Sequence, residues 1–296
     1  MEVQGVNYPK ITVITVSYNC ANTIEQTIQS VVGQTYPHME YIVIDGGSTD
    51  GTVDIIRKYH GEIAFWSSEP DDGIYDAMNK GVKQASGDYI HFLGSDDCLI
   101  SCEIMAKVAR ILNSDEQIDI LSAPVWAVDE DLCLQNLFEN YLDDSRIDDG
   151  RIIPHQGMLT RSRLLQRMPF DTTYRIAGDQ DFLLKAYFDS AVRFKYVDFP
   201  IAFYSTGGVS SSAFTSTIRE RLHLMIKYRL NQRSIIKTQK RLQLHRSLVR
   251  NVRFRLQYWK KVLLKPLCSN IHFRKRLWPR WQKHSCEWPG CRWCKR

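Results

Sequence analysis

The chain has 296 residues, of which 44% are hydrophobic, a content that predicts a globular protein with one large domain and an appendage. No run approaches 18 consecutive apolar residues, and residues 1–10 lack the basic and apolar segments of a secretory signal, so neither a membrane-spanning helix nor secretion is expected. Eight cysteines without such a signal favour reduced thiols in a cytosolic compartment.

The net charge of +6 conceals a strong asymmetry along the chain. Residues 217–296 carry 23 Lys and Arg against two acids, a net charge of +21. Residues 1–216 carry 16 Lys and Arg against 31 acids, a net charge of −15. A polar segment at residues 205–217 lies between the two regions. We therefore predict a first domain over residues 1–216 and a basic, mainly helical C-terminal region over residues 217–296.

The first hundred residues alternate between strand and helix patterns. Apolar, β-branched runs predict strands in KITVITVSYN, MEYIVID, IAFWSS and DYIHFLG. Helical spacing of apolar residues follows the first three runs, in CANTIEQTIQSVVGQ, TVDIIRKY and GIYDAMNKGVKQA. This alternation predicts an α/β fold with a mostly parallel sheet and right-handed crossovers. Ligands of such sheets bind beyond the carboxyl ends of the strands.

Polar and acidic residues follow each predicted strand, in SYN, DGGSTDG, SEPDDG and GSDD. Each group has an ordinary explanation, because Asp, Gly and Ser form turns and cap helices. Their convergence on one edge favours a ligand site instead. An acidic edge repels phosphate unless a divalent cation, held by carboxylate oxygens, mediates the contact. The adjacent carboxylates Asp96 and Asp97 are the candidates for holding it.

Three segments carry a common pattern, ITVITVSYNCANTIEQTIQSVVGQTYPHMEYIVIDGGSTDGT, SEPDDGIYDAMNKGVKQASGDYIHFLGSDD and AGDQDFLLKAY. Together they resemble the family-2 glycosyltransferases with the GT-A fold. The resemblance covers about residues 10–205, and is to bacterial enzymes that extend capsule, exopolysaccharide or lipopolysaccharide chains. It implies a metal-dependent, inverting transfer of sugar from a nucleotide-sugar, most simply a UDP-sugar, to a glycan or lipid-linked saccharide.

The resemblance also implies roles for residues at the strand ends. Base and ribose would be held by Ser17, Tyr18, Asn19 and Asp45. The residues implied near the nucleotide are Glu69, Asp72, Asp76, Asn79 and Lys80. Asp76 and Asn79 could instead fasten their loop to the following helix, and Lys80 could pair with phosphate or with a neighbouring acid.

The segment Ser95-Asp96-Asp97 matches the family's metal motif, with Ser in place of the first Asp. The resemblance implies that Asp97 binds Mg²⁺ or Mn²⁺ and that Asp96 contacts ribose or a metal-bound water. The cation would neutralise charge on the departing nucleotide.

The general base is implied in AGDQDFLLKAY, where Asp179 takes the base position and Gly178 stands where many relatives have Glu. Asp181 is the alternative base, and helix capping is the alternative role of Asp179. His155 and Gln156 match a His-Gln pair that lines the cleft. Trp126 is either a sugar platform or, as we favour, part of the core.

The basic C-terminal region is not covered by the resemblance. Its mixture of apolar residues with dense Lys and Arg favours a helix on an anionic membrane surface over a solvated helix or nucleic-acid binding. Leu248, Val252, Trp259 and Leu263 are its predicted apolar stripe. We therefore expect a protein peripheral to the inner face of the cell membrane, with no nucleic-acid partner.

Further along, Cys286, Cys291 and Cys294 are read as free thiols, with zinc binding as the alternative.

Two other functional classes stay open. A sugar-nucleotide nucleotidyltransferase would use a similar sheet, but the first strand lacks the glycine-rich, basic loop that holds a triphosphate. A non-catalytic nucleotide-sugar-binding protein is disfavoured by the acids present at every motif.

Overall fold

The computed structural model describes most of the chain up to residue 239. The described ranges are 8–129, 134–148, 153–206, 214–231, 235–236 and 238–239.

The strands are β1 (Ile11–Ser17), β2 (Met39–Asp45), β3 (Phe65–Ser68), β4 (Tyr89–Gly94), β5 (Cys98–Leu99), β6 (Ile120–Ser122), β7 (Val125–Asp129), β8 (Leu134–Phe138), β9 (Met158–Arg161), β10 (Phe194–Tyr196) and β11 (Ala202–Ser205). The helices are α1 (Ile24–Val32), α2 (Thr52–Lys58), α3 (Ile74–Gln84), α4 (Ile104–Ser114), α5 (Asp144–Asp148), α6 (Ser162–Arg167), α7 (Gly178–Phe188) and α8 (Phe214–Lys227), with a 3₁₀ turn at His155–Gly157.

The main sheet has seven strands in the order β10-β6-β9-β4-β1-β2-β3. The pairs β1–β2, β1–β4, β2–β3 and β6–β10 are parallel, whereas β9 is antiparallel to both of its neighbours. Every residue of β1 is buried, as expected for a β-branched run covered on both faces of a parallel sheet. The predicted mostly parallel α/β architecture is confirmed.

The sheet separates two hydrophobic cores. Ile11 and Val13 of β1 face the core built with α1 and α4, and Ile14 and Val16 face the core built with α3, α7 and α8. Helix α3 lies close to the sheet, because a Cβ at Gly81 would come within 2.6 Å of the Ile14 side chain. The period-2 pattern of β1 therefore places one set of apolar residues in each core.

Helix α8 belongs to the second of these cores. Leu224 and Met225 are buried there beside residues of α7, and Ile218 is buried one turn or more earlier on the same helix. The expected boundary between residues 216 and 217 consequently falls inside α8, which begins at Phe214. The described start of the basic region packs as part of the first domain, because its apolar side chains fill that core.

Beyond residue 231, only residues 235–236 and 238–239 of the basic region are described, and the rest lies outside the described residues. This applies to the predicted membrane-binding stripe and to the three C-terminal cysteines. Within the described ranges, no helix combines the length and hydropathy needed to cross a membrane.

A second sheet has four strands in the order β5-β11-β7-β8. Strand β5 follows directly after Asp96 and Asp97 and pairs antiparallel with β11. This pairing brings the end of β11 next to the end of β4, so that Ser205 lies beside Asp97.

Candidate functional site

Three loops at the carboxyl ends of β1, β2 and β3 form what we call the loop rim, residues 18–23, 46–51 and 69–73. Asp45, at the end of β2, is fully buried beneath it. Its carboxylate accepts hydrogen bonds from the hydroxyls of Ser17 (2.8 Å), Ser48 (2.6 Å) and Ser68 (2.7 Å). It also accepts from the backbone N–H groups of Gly47 (3.1 Å) and Ser48 (2.8 Å). Because a carboxylate has about four acceptor positions, a ligand N–H reaches Asp45 only by replacing one of these donors.

The loop after β1 is fastened to the loop after β2. The Asn19 side-chain oxygen accepts from the Thr49 N–H (2.9 Å), and the Asn19 N–H donates to the Ser48 hydroxyl (2.7 Å). Asn19 has a φ of +49°, in the left-handed region that Asn tolerates. Tyr18 is 66% exposed beside this junction. Its ring is therefore free to lie along a flat ligand ring.

The start of α3 holds the loop after β3. Lys80 pairs with Glu69 (3.3 Å) and Asp76 (3.2 Å), and Asp76 also accepts from the Asp72 N–H (3.2 Å). Burial raises the pKa of Asp76, but the Asp72 N–H and Lys80 outweigh burial and lower the pKa. Glu69 and Asp72 are exposed at the rim.

Asn79 is committed to a structural contact. Its amide accepts from the Phe170 N–H (3.0 Å) and donates to the Phe170 carbonyl (2.9 Å). Asp76 thus makes the loop-to-helix contact of its alternative role, Asn79 instead fastens α3 to residue 170, and Lys80 contacts neighbouring acids.

A second group of polar residues, the acid cluster, comprises Asp96, Asp97, His155, Gln156 and Asp179. Asp97 is 2% exposed. One of its oxygens accepts from the Ser205 N–H (2.8 Å), and the other accepts from the Gln156 amide (2.9 Å) and the Gly94 N–H (3.2 Å). Gln156 is itself buried. These contacts fix the Asp97 carboxylate in one orientation.

The ionised form of Asp97 is disfavoured in this buried position. Burial, followed by the neighbouring charge of Asp96, raises the pKa of Asp97 to about 7. Among the described residues, no group of three or more His, Cys, Asp and Glu could hold a metal ion unaided. The two adjacent carboxylates nevertheless fit a hard divalent cation that takes its other ligands from water and phosphate oxygens.

Asp179, in the first turn of α7, faces the same cluster. One of its oxygens lies 3.1 Å from His155 Nδ1, and the other accepts from the Tyr75 hydroxyl (3.0 Å) and the Gln180 N–H (2.8 Å). Burial lowers the pKa of His155, but the hydrogen bond to Asp179 and the charges of Asp179, Asp97 and Asp96 outweigh burial and raise it. The 3₁₀ turn thus directs His155 to Asp179 and Gln156 to Asp97.

Asp181 makes a different set of contacts. It is fully buried and pairs with Lys185 (2.6 Å) and Lys227 (2.7 Å), and it accepts from the Tyr228 hydroxyl (2.9 Å). Two residues apart on a helix correspond to about 200° of rotation. Of the two candidate bases, the structure brings only Asp179 to the acid cluster.

Sequence reasoning missed two aromatic residues of this region. Tyr75 is buried and orients Asp179, and a Cβ at Gly178 would lie 2.8 Å from its ring. Glycine at position 178 therefore makes room for Tyr75. Burial first, and then the charges of Asp97, Asp96 and Asp179, raises the pKa of Tyr204 to about 12, as expected for a phenol near these acids. The sequence carried no signal for either residue, since Tyr75 occupies an ordinary apolar position of an amphipathic helix and Tyr204 lies in the apolar run IAFY.

Trp126 packs against the first hydrophobic core and is half-buried. This position agrees with the core assignment that the sequence favoured.

Comparison with known proteins identifies relatives of this chain. A PGL/p-HBAD biosynthesis glycosyltransferase of Mycobacterium tuberculosis is 30% identical over 219 residues, which cover 72% of this chain and 84% of the relative.

Two kinds of solved structure share the fold. S. aureus TarS 1-349 in complex with UDP-GlcNAc gives a TM-score of 0.57 at 21% identity, covering 79% of this chain and 71% of that chain. The chain spans 43% of the longer TarS crystal structure. The mannosyltransferase PcManGT from Pyrobaculum calidifontis in complex with GDP-Man and Mn²⁺ gives 0.58 at 19% identity, covering 80% and 71%. At these identities the two structures show a common fold.

The family model "Glycosyl transferase family 2" matches residues 12–199, which contain both the loop rim and the acid cluster. The chain therefore belongs to glycosyltransferase family 2, and it is a glycosyltransferase with the GT-A fold.

Proposed function

We propose that the chain transfers a sugar from a nucleotide-sugar, most simply a UDP-sugar, to a saccharide or lipid-linked acceptor, in a metal-dependent reaction that inverts the anomeric carbon. Its place would be the synthesis of cell-surface polysaccharide at the inner face of the cell membrane. The relative from M. tuberculosis is named for PGL/p-HBAD biosynthesis, and TarS was solved with UDP-GlcNAc. The UDP-GlcNAc complex supports a nucleotide-sugar donor, and the name of the relative supports a biosynthetic glycosyl transfer.

The proposal rests mainly on the 3₁₀ turn at His155–Gly157, which contacts both Asp97 and Asp179. Adjacent residues of one turn contact these two acids, Gln156 at 2.9 Å from Asp97 and His155 at 3.1 Å from Asp179. A nucleotide-sugar transferase needs a carboxylate at the diphosphate and a base at the acceptor, close together and separately oriented. Here one rigid turn holds both.

The nucleotide is proposed to lie along the loop rim. Tyr18 would lie against the base, with Ser17, Asn19, Glu69 and Asp72 around the base and ribose. Asp45 contributes mainly by holding the three serines and the loop backbone in place, since its own acceptor positions are occupied. Asp96 would contact the ribose or a water at the diphosphate.

The residues at the diphosphate fit Mg²⁺ or Mn²⁺, which when bound would neutralise the charge of the departing nucleotide. Asp97 would hold it, because its carboxylate is fixed and its negative charge lacks solvation in the buried site. The likeness to a structure containing Mn²⁺ supports the use of a divalent ion.

Asp179 is proposed to take the proton from the acceptor hydroxyl as that oxygen attacks the anomeric carbon. Its side chain is 13% exposed, and so it can meet an acceptor. The Tyr75 hydroxyl and His155 hold its two oxygens in a fixed direction. One direct displacement with a single base inverts the anomeric carbon.

The test is a panel of nucleotide-sugars, with UDP-sugars first, assayed for nucleoside diphosphate release with Mg²⁺, with Mn²⁺ or with excess chelator. We expect release that depends on the ion and that is lost in Asp97→Asn. The matched control is Asp54→Asn, since Asp54 is a carboxylate on the surface of α2. This variant should retain full release.

Full activity of Asp97→Asn, or of the wild type in chelator, would contradict the metal role. Release of pyrophosphate from a nucleoside triphosphate would favour the nucleotidyltransferase instead. The anomeric configuration of the product, read by NMR, tests inversion.

A further inference from the structure

Glu220, on α8, lies beyond the segment that matches the family model. Its carboxylate accepts from three consecutive backbone N–H groups directly before α7. One oxygen accepts from Arg175 (3.0 Å), and the other accepts from Ile176 (2.9 Å) and Ala177 (2.8 Å). A carboxylate that accepts several backbone N–H groups binds them strongly and with defined geometry.

Helix α7 needs this support. Ala177 is its N-terminal capping residue and provides no side-chain cap. The N–H groups at a helix start require partners from outside the helix, and negative charge is favourable there. Glu220, from a helix that is distant in sequence, supplies the negative charge and a partner for the Ala177 N–H, and its contacts with Arg175 and Ile176 hold the segment just before the helix.

The other side of the same segment leads to Asp179. The Tyr75 hydroxyl contacts the Ile176 carbonyl (2.7 Å) and the Asp179 carboxylate (3.0 Å). Residue 176 is thus held through its N–H by Glu220 and through its carbonyl by Tyr75. A continuous series of short contacts connects Glu220 to Asp179.

Helix α8 is a firm anchor for this series. Its own residues Leu224 and Met225 are buried in the core, and its Lys227 pairs with Asp181 on α7 (2.7 Å). Helix α8 is therefore joined to the segment before α7 and to the first turn of α7, and these two attachments fix the position of Glu220.

We propose that Glu220 is a positioning residue for glycosyl transfer, which sets the direction of Asp179 by fixing residues 175–177. The proposal rests on the proposed function of Asp179 as base. It makes α8 a required part of the catalytic apparatus.

The decisive experiment is a double-mutant cycle of Glu220→Gln and Asp179→Asn, with kcat and the KM for nucleotide-sugar measured for the transfer reaction. The amide presents an NH₂ group to backbone N–H groups, and so it cannot accept all three. A displacement of the base of about 1 Å can cost up to about 10²-fold. We expect Glu220→Gln to lower kcat by about 10- to 100-fold with KM unchanged.

In the Asp179→Asn background the same change should cost nothing further, because the oriented base is already absent. An equal loss in both backgrounds would assign Glu220 a general structural role and overturn the proposal. Arg219→Gln, at an exposed neighbour on α8, is the matched control and should leave kcat unchanged.

Amide hydrogen exchange tests the contacts without any substrate. The amides of residues 175–177 should be protected in the wild type and should exchange faster in Glu220→Gln, at a temperature where both proteins are folded. Equal exchange in the two proteins would overturn the proposal. This result is independent of nucleotide-sugar turnover, so failure of the contacts is distinguishable from failure of the proposed function.

Discussion

The loop rim and the acid cluster are assembled in different ways. Beneath the rim, Asp45 receives its backbone hydrogen bonds from Gly47 and Ser48, two and three residues away. In the acid cluster, Asp97 contacts Gln156 at a separation of 59 residues and Ser205 at 108. The rim combines local turns with contacts between strand ends and loops 23 to 30 residues apart, whereas the cluster exists only when two sheets and several helices have assembled.

Variants of the rim and variants of the acid cluster should therefore change different kinetic constants. Changes in the rim should affect nucleotide-sugar binding and local stability, because its contacts shape a surface. Changes in the acid cluster should affect kcat, because its contacts orient individual oxygens.

The largest effect is expected for Asp179→Asn, which keeps the size of the side chain but removes proton acceptance. We expect glycosyl transfer to fall by about 10²–10⁴-fold with little change in nucleotide-sugar affinity, measured by steady-state kinetics and calorimetry. Asp181→Asn is the comparison. It should retain transfer and lower the free energy of unfolding by about 1–3 kcal/mol, because Lys185 and Lys227 lose a buried carboxylate. A reversal of the two kinetic results would move the base to Asp181.

A smaller loss of activity is expected for Tyr75→Phe. The ring still fills the space beside Gly178, but Asp179 loses one of the groups that orient it. We expect kcat to fall by about 10-fold and KM for the nucleotide-sugar to stay constant. Tyr59→Phe, at a hydroxyl contacting Gln29 and Glu25 far along the chain from α7, is the control. Equal kcat values in the wild type and Tyr75→Phe would show that the hydroxyl does not orient the base.

Within the rim, Asp45→Asn should change the free energy of unfolding and KM more than kcat, which is the opposite of the effect expected for Tyr75→Phe. With its oxygen toward the N–H groups of Gly47 and Ser48, the amide would turn its NH₂ group toward the hydroxyls of Ser17 and Ser48, which then lose their acceptor. The negative charge that strengthens the remaining hydrogen bonds is lost as well. We expect a loss of about 1–3 kcal/mol in the free energy of unfolding, measured by urea denaturation. The KM for nucleotide-sugar should rise, with a smaller change in kcat. A large fall in kcat at constant KM would contradict the proposed division between rim and cluster.

The sequence by itself determined the fold class and indicated which polar residues lie at the carboxyl edge of the sheet. The β-branched runs bury their apolar side chains in strands that are covered on both faces of a sheet. The helical segments between these runs then cross over from one parallel strand to the next. Polar residues at the strand ends then had to meet at one edge of the sheet. The adjacent carboxylates Asp96 and Asp97 were recognisable for the same reason, since they directly follow a buried strand.

Only the tertiary structure separated Asp179 from Asp181. Both lie in the first turn of α7, and their difference arises from what each side of the helix meets. His155 and Tyr75 lie on one side, and Lys227 and Tyr228 lie on the other.

The tertiary structure also decided the position of α8. Charge asymmetry assigned residues 217–227 of this helix to a separate basic region, but net charge reports on solvent and partners and not on packing. The apolar side chains Leu224 and Met225 join the core beneath α7, and the single acid Glu220 faces the segment before Asp179. Long-range packing decides such contacts, because residues more than 40 positions apart become neighbours only through the fold.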